Sequence, residues 1–352
     1  MPQSLDPKDV ERLLRRRPVA RAPDSLWERI QAALTSPETP RALPPLKRPV
    51  PRWLMAAAVF LAVLTGTLGG LYRSYRAPSA WAVQPVAGTP TIAGAALTGG
   101  DKLGAGEWLV TDAFSKAALS VGRIGTAEVG PNSRVQLDRG GLTQHRLTLE
   151  RGRLQVVISA PPRLFFVRTP SALATDLGCA YTLDVDSAGA SRLHVTAGWV
   201  ELKEGDAVSV VPAGLVAEVA VGERPGTPYP PELADDARTA LRRLDAGAGS
   251  GADLDALLAA LHQPSDFITL RRQSGVTLWH LLPRVPPELR ARVYQRLAEL
   301  SAPPAGVTRE GILALWRPML ERWRRDLSPM WSEDAESWWT RAARRLWERT
   351  ID

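Results

Sequence analysis

One stretch of this chain limits its fold more than any other, and it reads RWLMAAAVFLAVLTGTLGGLYR over residues 52–73. It carries no charged side chain from Trp53 to Tyr72. A helix of about 20 apolar residues crosses the hydrocarbon core of a bilayer, and aromatic rings favour the two headgroup levels. The sequence therefore predicts a transmembrane helix whose boundaries are Trp53 and Tyr72.

Two alternatives to an uncleaved anchor are open to this stretch. A buried core helix is disfavoured, because an amphipathic core helix shows a polar face and this segment has none. A cleaved signal peptide could use Ala80-Trp81-Ala82, but both the preceding segment and the apolar run are longer than in a usual leader. Gly66 and Gly70 would allow two such helices to pack closely, which leaves a homodimer open.

The charge distribution predicts an orientation for this helix. Eleven basic residues precede it, whereas only Arg73 and Arg76 follow it before Lys102. The positive-inside rule then predicts a single-pass protein of the bacterial inner membrane, with a cytoplasmic N-terminus and a periplasmic or otherwise extracytoplasmic bulk. The net charge of +7 would suit nucleic acid, but the predicted location of the bulk argues against direct nucleic-acid binding. Cys179 is the only cysteine, so no intramolecular disulfide can form.

Composition divides the rest of the chain into segments. Prolines are dense before the apolar stretch, short alternating patterns follow it, and helical patterns dominate the end. The predicted segments are a cytoplasmic helical segment (1–35), a proline-rich linker (36–52), the membrane helix (53–72), a juxtamembrane linker (73–104), a β domain (105–222) and a tryptophan-rich helical region (230–352).

The N-terminal segment contains an amphipathic helix that is too small to be stable by itself. Leu26, Trp27, Ile30 and Leu34 recur at helical spacing and form one apolar face. The sequence therefore predicts that this face binds a cytoplasmic partner. The alternative is a loosely ordered tail that only sets membrane topology.

The middle of the chain shows the period-two alternation of half-buried strands, separated by glycine and proline turns. This pattern predicts a mainly β domain, either a β-sandwich or a β-solenoid-like fold. The alternating apolar pairs and triplets are Val135/Leu137, Leu147/Leu149, Leu154/Val156/Ile158, Leu193/Val195, Val200/Leu202 and Val208/Val210. Gly130, Gly152 and Gly198 are expected to supply positive φ at turns.

The C-terminal region reads as all-α. Residues 311–327 predict one apolar stripe from Ile312 through Trp316 and Trp323 to Leu327, with a kink at Pro318. Trp338, Trp339, Ala342 and Leu346 form a second stripe. Tryptophans at helical spacing are usually core residues, so a small bundle is expected. A surface that binds a partner or a sugar is the alternative.

No pattern of catalytic residues or metal ligands stands out, so we predict a protein that is not an enzyme and uses no cofactor and no metal. The histidines 145, 194, 262 and 280 lack a second ligand at helical spacing, and there is no CxxC pair. Glu333 and Asp334 follow Ser332 and suit a helix N-terminus better than acid/base chemistry. Cys179 has apolar neighbours typical of a small buried residue.

The β region resembles the FecR family of membrane-anchored regulators. The similarity lies in a glycine followed by a Pro-Asn-Ser turn, a Leu-x-x-Gly-x-Leu hairpin, a Val-x-Thr-Pro strand and a closing hairpin with a final Ala-Gly turn. The segments that carry it are GTAEVGPNSRVQL (125–137), LTLERGRLQVVI (147–158), FFVRTPSALATDLGCAYTLDV (165–185), HVTAGWVEL (194–202) and VPAGLVAEV (211–219). Cys179 stands where the family commonly has threonine.

This resemblance implies a function. FecR-like proteins pass a signal from outside the cell to a cytoplasmic σ factor of the extracytoplasmic-function kind, which their N-terminal segment binds. We therefore expect a single-pass signalling regulator that binds such a σ factor and senses an envelope signal. The short N-terminal segment lacks histidine and cysteine, which excludes a zinc-type anti-σ domain. The alternative is a scaffold that binds peptidoglycan, polysaccharide or an envelope protein and has no σ-factor role.

Overall fold

The computed structural model describes residues 24–35, 61, 63–67, 80–141, 144–261 and 267–331. The chain divides into two compact units, Met1–Thr67 and Leu68–Asp352. In the first unit, α1 spans Asp24–Thr35, and Leu61 and residues 63–67 are also helical. The second unit contains the strands and the remaining helices.

The predicted transmembrane helix is wrong. Within the described ranges, no helix combines the length and the apolar character that a membrane crossing requires. Trp53 and Tyr72, the predicted boundaries, lie outside the described residues.

Two further predictions depended on that helix and are corrected with it. The fold class predicted from the sequence is corrected by removing the membrane helix, whereas the structure is mainly β with helices after the last strand. The single-pass inner-membrane location, with a cytoplasmic N-terminus and an extracytoplasmic bulk, loses its basis for the same reason.

The second unit is built mainly from strands that begin at Trp81, inside the stretch predicted as a linker. These strands form one hydrogen-bonded, half-barrel-like sheet. They are β1 (Trp81–Ala87), β2 (Thr91–Ile92), β3 (Ala95–Ala96), β4 (Lys102–Leu103), β5 (Trp108–Val110), β6 (Lys116–Val121), β7 (Gly125–Val129), β8 (Arg134–Gly140), β9 (His145–Ile158), β10 (Phe165–Arg168), β11 (Leu173–Asp176), β12 (Ala180–Val185), β13 (Ser191–Ala197), β14 (Trp199–Glu204), β15 (Ala207–Pro212) and β16 (Val216–Val219).

The long strand β9 joins the two halves of this sheet. Its first half pairs antiparallel with β8 and parallel with β10. Its second half pairs antiparallel with β7 and β12. Gly152 stands between the halves at φ +93°, and a Cβ there would overlap the backbone of Ser133. Only glycine therefore lets the strand pass Ser133 at this point.

The predicted alternation agrees with burial along most strands but not along β15. Val135, Leu137 and their counterparts on β9, β13 and β14 point into the core. On β15, Ser209 and Val211 are fully buried, whereas Val208 is 44% exposed. The sequence VSVV places an apolar residue on each face of the strand, so the pattern does not decide which face is buried. A hydrogen bond from the Ser209 hydroxyl to the Gly226 carbonyl places the face of Ser209 and Val211 in the core.

One of the predicted turn glycines does not adopt the expected backbone. Gly152 and Gly198 have positive φ, as expected. In the Gly130-Pro131-Asn132 turn the positive φ, +53°, belongs to Asn132 rather than to Gly130. Asparagine tolerates the left-handed region because its short side chain bonds locally.

Helices follow the last strand and pack onto the same core. They are α2 (Asp235–Asp245), α3 (Gly251–Ala260), α4 (Phe267–Leu281), α5 (Pro287–Leu300), α6 (Arg309–Leu313) and α7 (Arg317–Trp331). The predicted kink at Pro318 is instead a break between α6 and α7, where Leu315 adopts φ +54°. Pro318 then occupies the first turn of α7, where its missing N–H costs nothing.

A buried ion pair fastens these helices to the sheet. Arg284, after α4, contacts Asp245 at the end of α2 over 3.1 Å, and both side chains are at most 15% exposed. Asp245 also accepts the backbone N–H and the hydroxyl of Thr227. The Arg284 guanidinium reaches the Ser209 hydroxyl of β15 as well. Sheet and helices therefore form one core in this unit.

Candidate functional site

The predicted partner face lies on α1. Leu26 and Ile30 are each 44% exposed, Trp27 is 65% exposed and Leu34 is 80% exposed. Their spacing of three, four and seven residues places them along one side of the helix. The structure thus places the four residues together on an exposed helical face, and it contains no partner that would test their role.

Such a face has the form of a helix that docks into an apolar groove of another protein. Recognition of this type uses anchors on one helical face, and here Trp27, Ile30 and Leu34 occupy positions i, i+3 and i+7, with Leu26 beside them. Complete burial of one large apolar side chain contributes about 1.5–3 kcal/mol. Four such side chains could therefore supply most of the free energy of a strong complex.

Three C-terminal tryptophans, Trp279, Trp323 and Trp331, form a packed aromatic cluster, whereas Trp316 is 54% exposed. Trp323 and Trp331 of α7 are 0% and 4% exposed. The Trp323 ring lies edge-on to Trp279 of α4, and Trp331 contacts both Trp279 and Trp199 of β14. These rings are used in the core, so they are not available to stack on a sugar. Trp338 and Trp339, together with Glu333 and Asp334, lie outside the described residues.

A cleft of about 800 Å³ opens where β12, β13 and β16 meet the end of α2. Its charged walls largely neutralise each other. Arg192 bonds to Glu218 over 2.7 Å, and Arg224 donates to the backbone carbonyl of Asp245. The cleft is therefore better explained as a junction between sheet and helices than as a pocket that selects a ligand.

A buried carboxyl and thiol meet in the turn between β11 and β12. Asp176 is 1% exposed, and Cys179 is fully buried, as its apolar neighbours suggested. The Cys179 thiol donates to Oδ2 of Asp176 over 2.7 Å, and the Gly178 N–H donates to Oδ1 over 2.6 Å. Burial raises the pKa of the Asp176 carboxyl from 3.8 to about 7, although its hydrogen bonds to Cys179 and Gly178 act in the opposite direction.

The two histidines in core positions stay neutral at neutral pH. Burial lowers the pKa of His145, which packs against the Trp81 ring. Burial, reinforced by the charge of Arg284, lowers the pKa of His280 to about 3. Within the described residues, no group of three or more histidine, cysteine or acidic side chains could hold a metal ion.

Among the described residues, Asp176 is a chemically distinctive residue that the sequence analysis did not single out. A signal for it exists, because an aspartate two residues before a glycine often closes a local turn by accepting the glycine N–H. That signal gives no warning of burial. Burial follows from the crossing of the chain between the two halves of the sheet, which only the fold reveals.

Comparisons with known proteins find only distant structural similarity among the matches. No family model matches the chain, and no curated protein is significantly similar to it. Among solved structures, two crystal structures of a candidate anti-sigma factor from Parabacteroides distasonis ATCC 8503, at 1.65 and 2.50 Å resolution, are distantly similar. Each has 13% sequence identity and a TM-score of 0.30, and the match covers 33% of this chain.

The match spans only 56% of the Parabacteroides chain, so it is partial on both sides. It concerns anti-sigma factors in general and does not reach the FecR family specifically. At this identity and score, the similarity does not determine what the present chain binds.

Proposed function

We propose that this protein is a transcription regulator that binds a σ factor of the extracytoplasmic-function kind through α1. The observation that carries the proposal is the exposed apolar face of Leu26, Trp27, Ile30 and Leu34. The choice of a σ factor as partner rests on the FecR-like motifs of the β region.

The energetics of α1 support a partner rather than a solitary helix. Isolated helices shorter than about 12–15 residues are marginal in water, and α1 has 12 residues. Exposed leucine, isoleucine and tryptophan side chains contribute nothing to such a helix when it is alone. A partner groove would bury the face and order the helix in the same step, which accounts for the pattern of the sequence.

The test measures binding of the full-length protein to purified σ factors encoded by the same genome. The key variant carries Trp27→Ala and Ile30→Ala together. Losing two anchors at about 1.5–3 kcal/mol each should raise the dissociation constant at least a hundredfold, because each 1.4 kcal/mol is a factor of ten.

The same helix offers a matched control. Glu28→Ala with Arg29→Ala changes two residues on the polar side, opposite the four apolar residues, and should leave the affinity unchanged. The proposal fails if the wild-type protein binds none of the σ factors, or if the Trp27/Ile30 variant binds as tightly as the control.

A further inference from the structure

The turn formed by residues 176–179 connects the two halves of the sheet and touches the helical region through one strand. Asp176 ends β11, which pairs with β14, and Ala180 begins β12, which pairs with β9. The Leu177 N–H in the turn donates to the Trp199 carbonyl over 3.2 Å. The Trp199 ring in turn lies 6.4 Å from the ring of Trp331 on α7.

The turn has little freedom to adjust without moving its neighbours. Gly198 approaches it so closely, at φ +72°, that a Cβ there would overlap the Gly178 carbonyl. The Cys179 carbonyl accepts the Ile158 N–H of β9 over 2.9 Å. A change in the hydrogen bonds inside the turn is therefore passed on to β9 and β14.

Among the residues that the structure describes, no cationic side chain forms an ion pair with the carboxylate at the centre of this turn. The Asp176 side chain bonds to the Gly178 N–H and to the Cys179 thiol, a weak donor, and the Cys179 backbone N–H also favours its charged form. The hydroxyl of Tyr181, on β12, is buried nearby and has no hydrogen-bond partner in the described structure. A charged carboxylate in such surroundings is costly, and protonation is the usual way to remove the cost.

We propose that Asp176 and Cys179 form a proton-operated switch at the junction of sheet and helices. In the ionised state the carboxylate accepts the thiol proton in a hydrogen bond. Uptake of one proton from solvent turns Oδ2 into a hydroxyl that donates toward Sγ, and the thiol proton loses its charged acceptor, so the S–H···Oδ2 hydrogen bond is broken. The Gly178 N–H keeps its bond to Oδ1, and the turn relaxes around that contact.

The neighbouring titratable groups do not share this proton. Burial raises the pKa of Cys179 and of Tyr181 well above their ordinary values, so both stay protonated at neutral pH. Arg163 and Glu201 pair with each other over 3.3 Å on the outer side of the sheet. His194 lies opposite Thr182, one residue from Tyr181, and so on the other face of the strand pair. Only Asp176 changes its charge inside the turn.

The first test uses the S–H stretching band in the infrared spectrum of the full-length protein. Cys179 is the only cysteine, so the band reports this one thiol. The band should move across neutral pH as the hydrogen bond to Asp176 is lost, with a midpoint at about pH 7. Tryptophan emission should change with the same midpoint, because the turn holds Trp199.

Three variants separate the switch from other titrations. Asp176→Asn keeps the shape of the side chain but cannot ionise, so both transitions should disappear. Cys179→Ser places a stronger donor on the carboxylate, which should move the emission midpoint to lower pH by favouring the charged form. His194→Gln removes a histidine of the same region and should leave both transitions in place.

The switch is refuted if the wild-type S–H band does not change across neutral pH. It is also refuted if the emission transition persists in Asp176→Asn, or keeps its midpoint in Cys179→Ser. Should Asp176→Asn fail to fold, the wild-type band and the Cys179→Ser midpoint still decide the question.

Discussion

Two helices of this protein, α1 and α5, have similar apolar patterns but differ in whether the apolar face is buried. In α5, Leu289, Val293, Leu297 and Leu300 recur every three or four residues, and all are buried. In α1, Leu26, Trp27, Ile30 and Leu34 recur in the same way, and all are exposed. Amphipathicity therefore predicts that a face is to be buried, but it does not say whether the rest of the chain or another molecule will bury it.

The largest predicted difference in the free energy of unfolding between the packed helices and α1 concerns two tryptophans. Trp323 is fully buried against Trp279 and Tyr294, so Trp323→Ala should lower the free energy of unfolding by about 3–5 kcal/mol. Trp27→Ala, on the exposed face of α1, should change it by less than about 0.5 kcal/mol. Urea unfolding of the two variants measures both values. A large loss from Trp27→Ala would mean that α1 is packed within its own chain.

A smaller loss should follow from breaking the ion pair that holds the packed helices. Asp245→Ala leaves Arg284 buried without its carboxylate and Thr227 without its acceptor, at a cost of about 3 kcal/mol. Glu321→Ala removes an exposed ion pair with Arg324 on α7 and should cost less than about 1 kcal/mol. Equal losses of stability in thermal unfolding of the two variants would contradict the conclusion that the Arg284–Asp245 ion pair stabilises the packing of the helices on the sheet.

The packed region should also differ from α1 in its response to acid, because α4 contains His280 whereas α1 contains no histidine. The pKa of His280 is lowered to about 3 in the native state, so the unfolded chain takes up a proton that the native chain refuses. Stability from this group is therefore full above the ordinary histidine pKa of about 6.5 and is lost as pH falls toward 3.

His280→Phe isolates this contribution, since a phenylalanine ring takes up no proton. Relative to the variant, the wild-type protein should lose about 1.5–2 kcal/mol of stability between about pH 6.5 and 5. Unfolding curves at several pH values give the difference directly, and taking the difference removes the opposite trend expected from Asp176. Parallel pH profiles would show that His280 is reached by solvent protons in the native state.

The smallest effect concerns a glycine inside the packed helices. A Cβ on Gly275 of α4 would meet Trp331 Nε1 at 3.6 Å, an ordinary van der Waals contact. Gly275→Ala should therefore stabilise the protein by about 0.5–1 kcal/mol, mainly through the unfolded chain. A rise in the melting temperature would confirm the prediction for Gly275→Ala.

The parallel change Gly152→Ala in β9 should instead destabilise the protein, because Gly152 has positive φ and a Cβ there would overlap Ser133.

Much of the strand content could be predicted from the sequence, because alternation and turn residues are local signals. β8, β9, β13 and β14 follow the predicted patterns. The inverted face of β15 could not be predicted, since it depends on where Ser209 finds an acceptor 17 residues away. The start of the sheet at Trp81 was also missed, because β1 buries only Trp81 and Val83 and contains Pro85, and the next strands, β2 and β3, are too short to show a period.

The candidate sites differ in the same way. The α1 face is contiguous in sequence and could be predicted by residue. The Asp176–Cys179 contact depends on burial, which arises only when β11, β12 and β14 come together. The membrane helix, by contrast, was predicted from the length of an apolar run. No helix among the described residues has the length and apolar character that a membrane crossing requires.

The position of β9 has a consequence for the order in which the chain can fold during synthesis. This strand bonds to β7 and β8, which precede it, and to β10 and β12, which follow it. A nascent chain cannot complete these ladders until Val185 has left the ribosome. Until then β9 presents unpaired amides and an apolar face, so the interval between its emergence and that of β12 is when a chaperone would matter most.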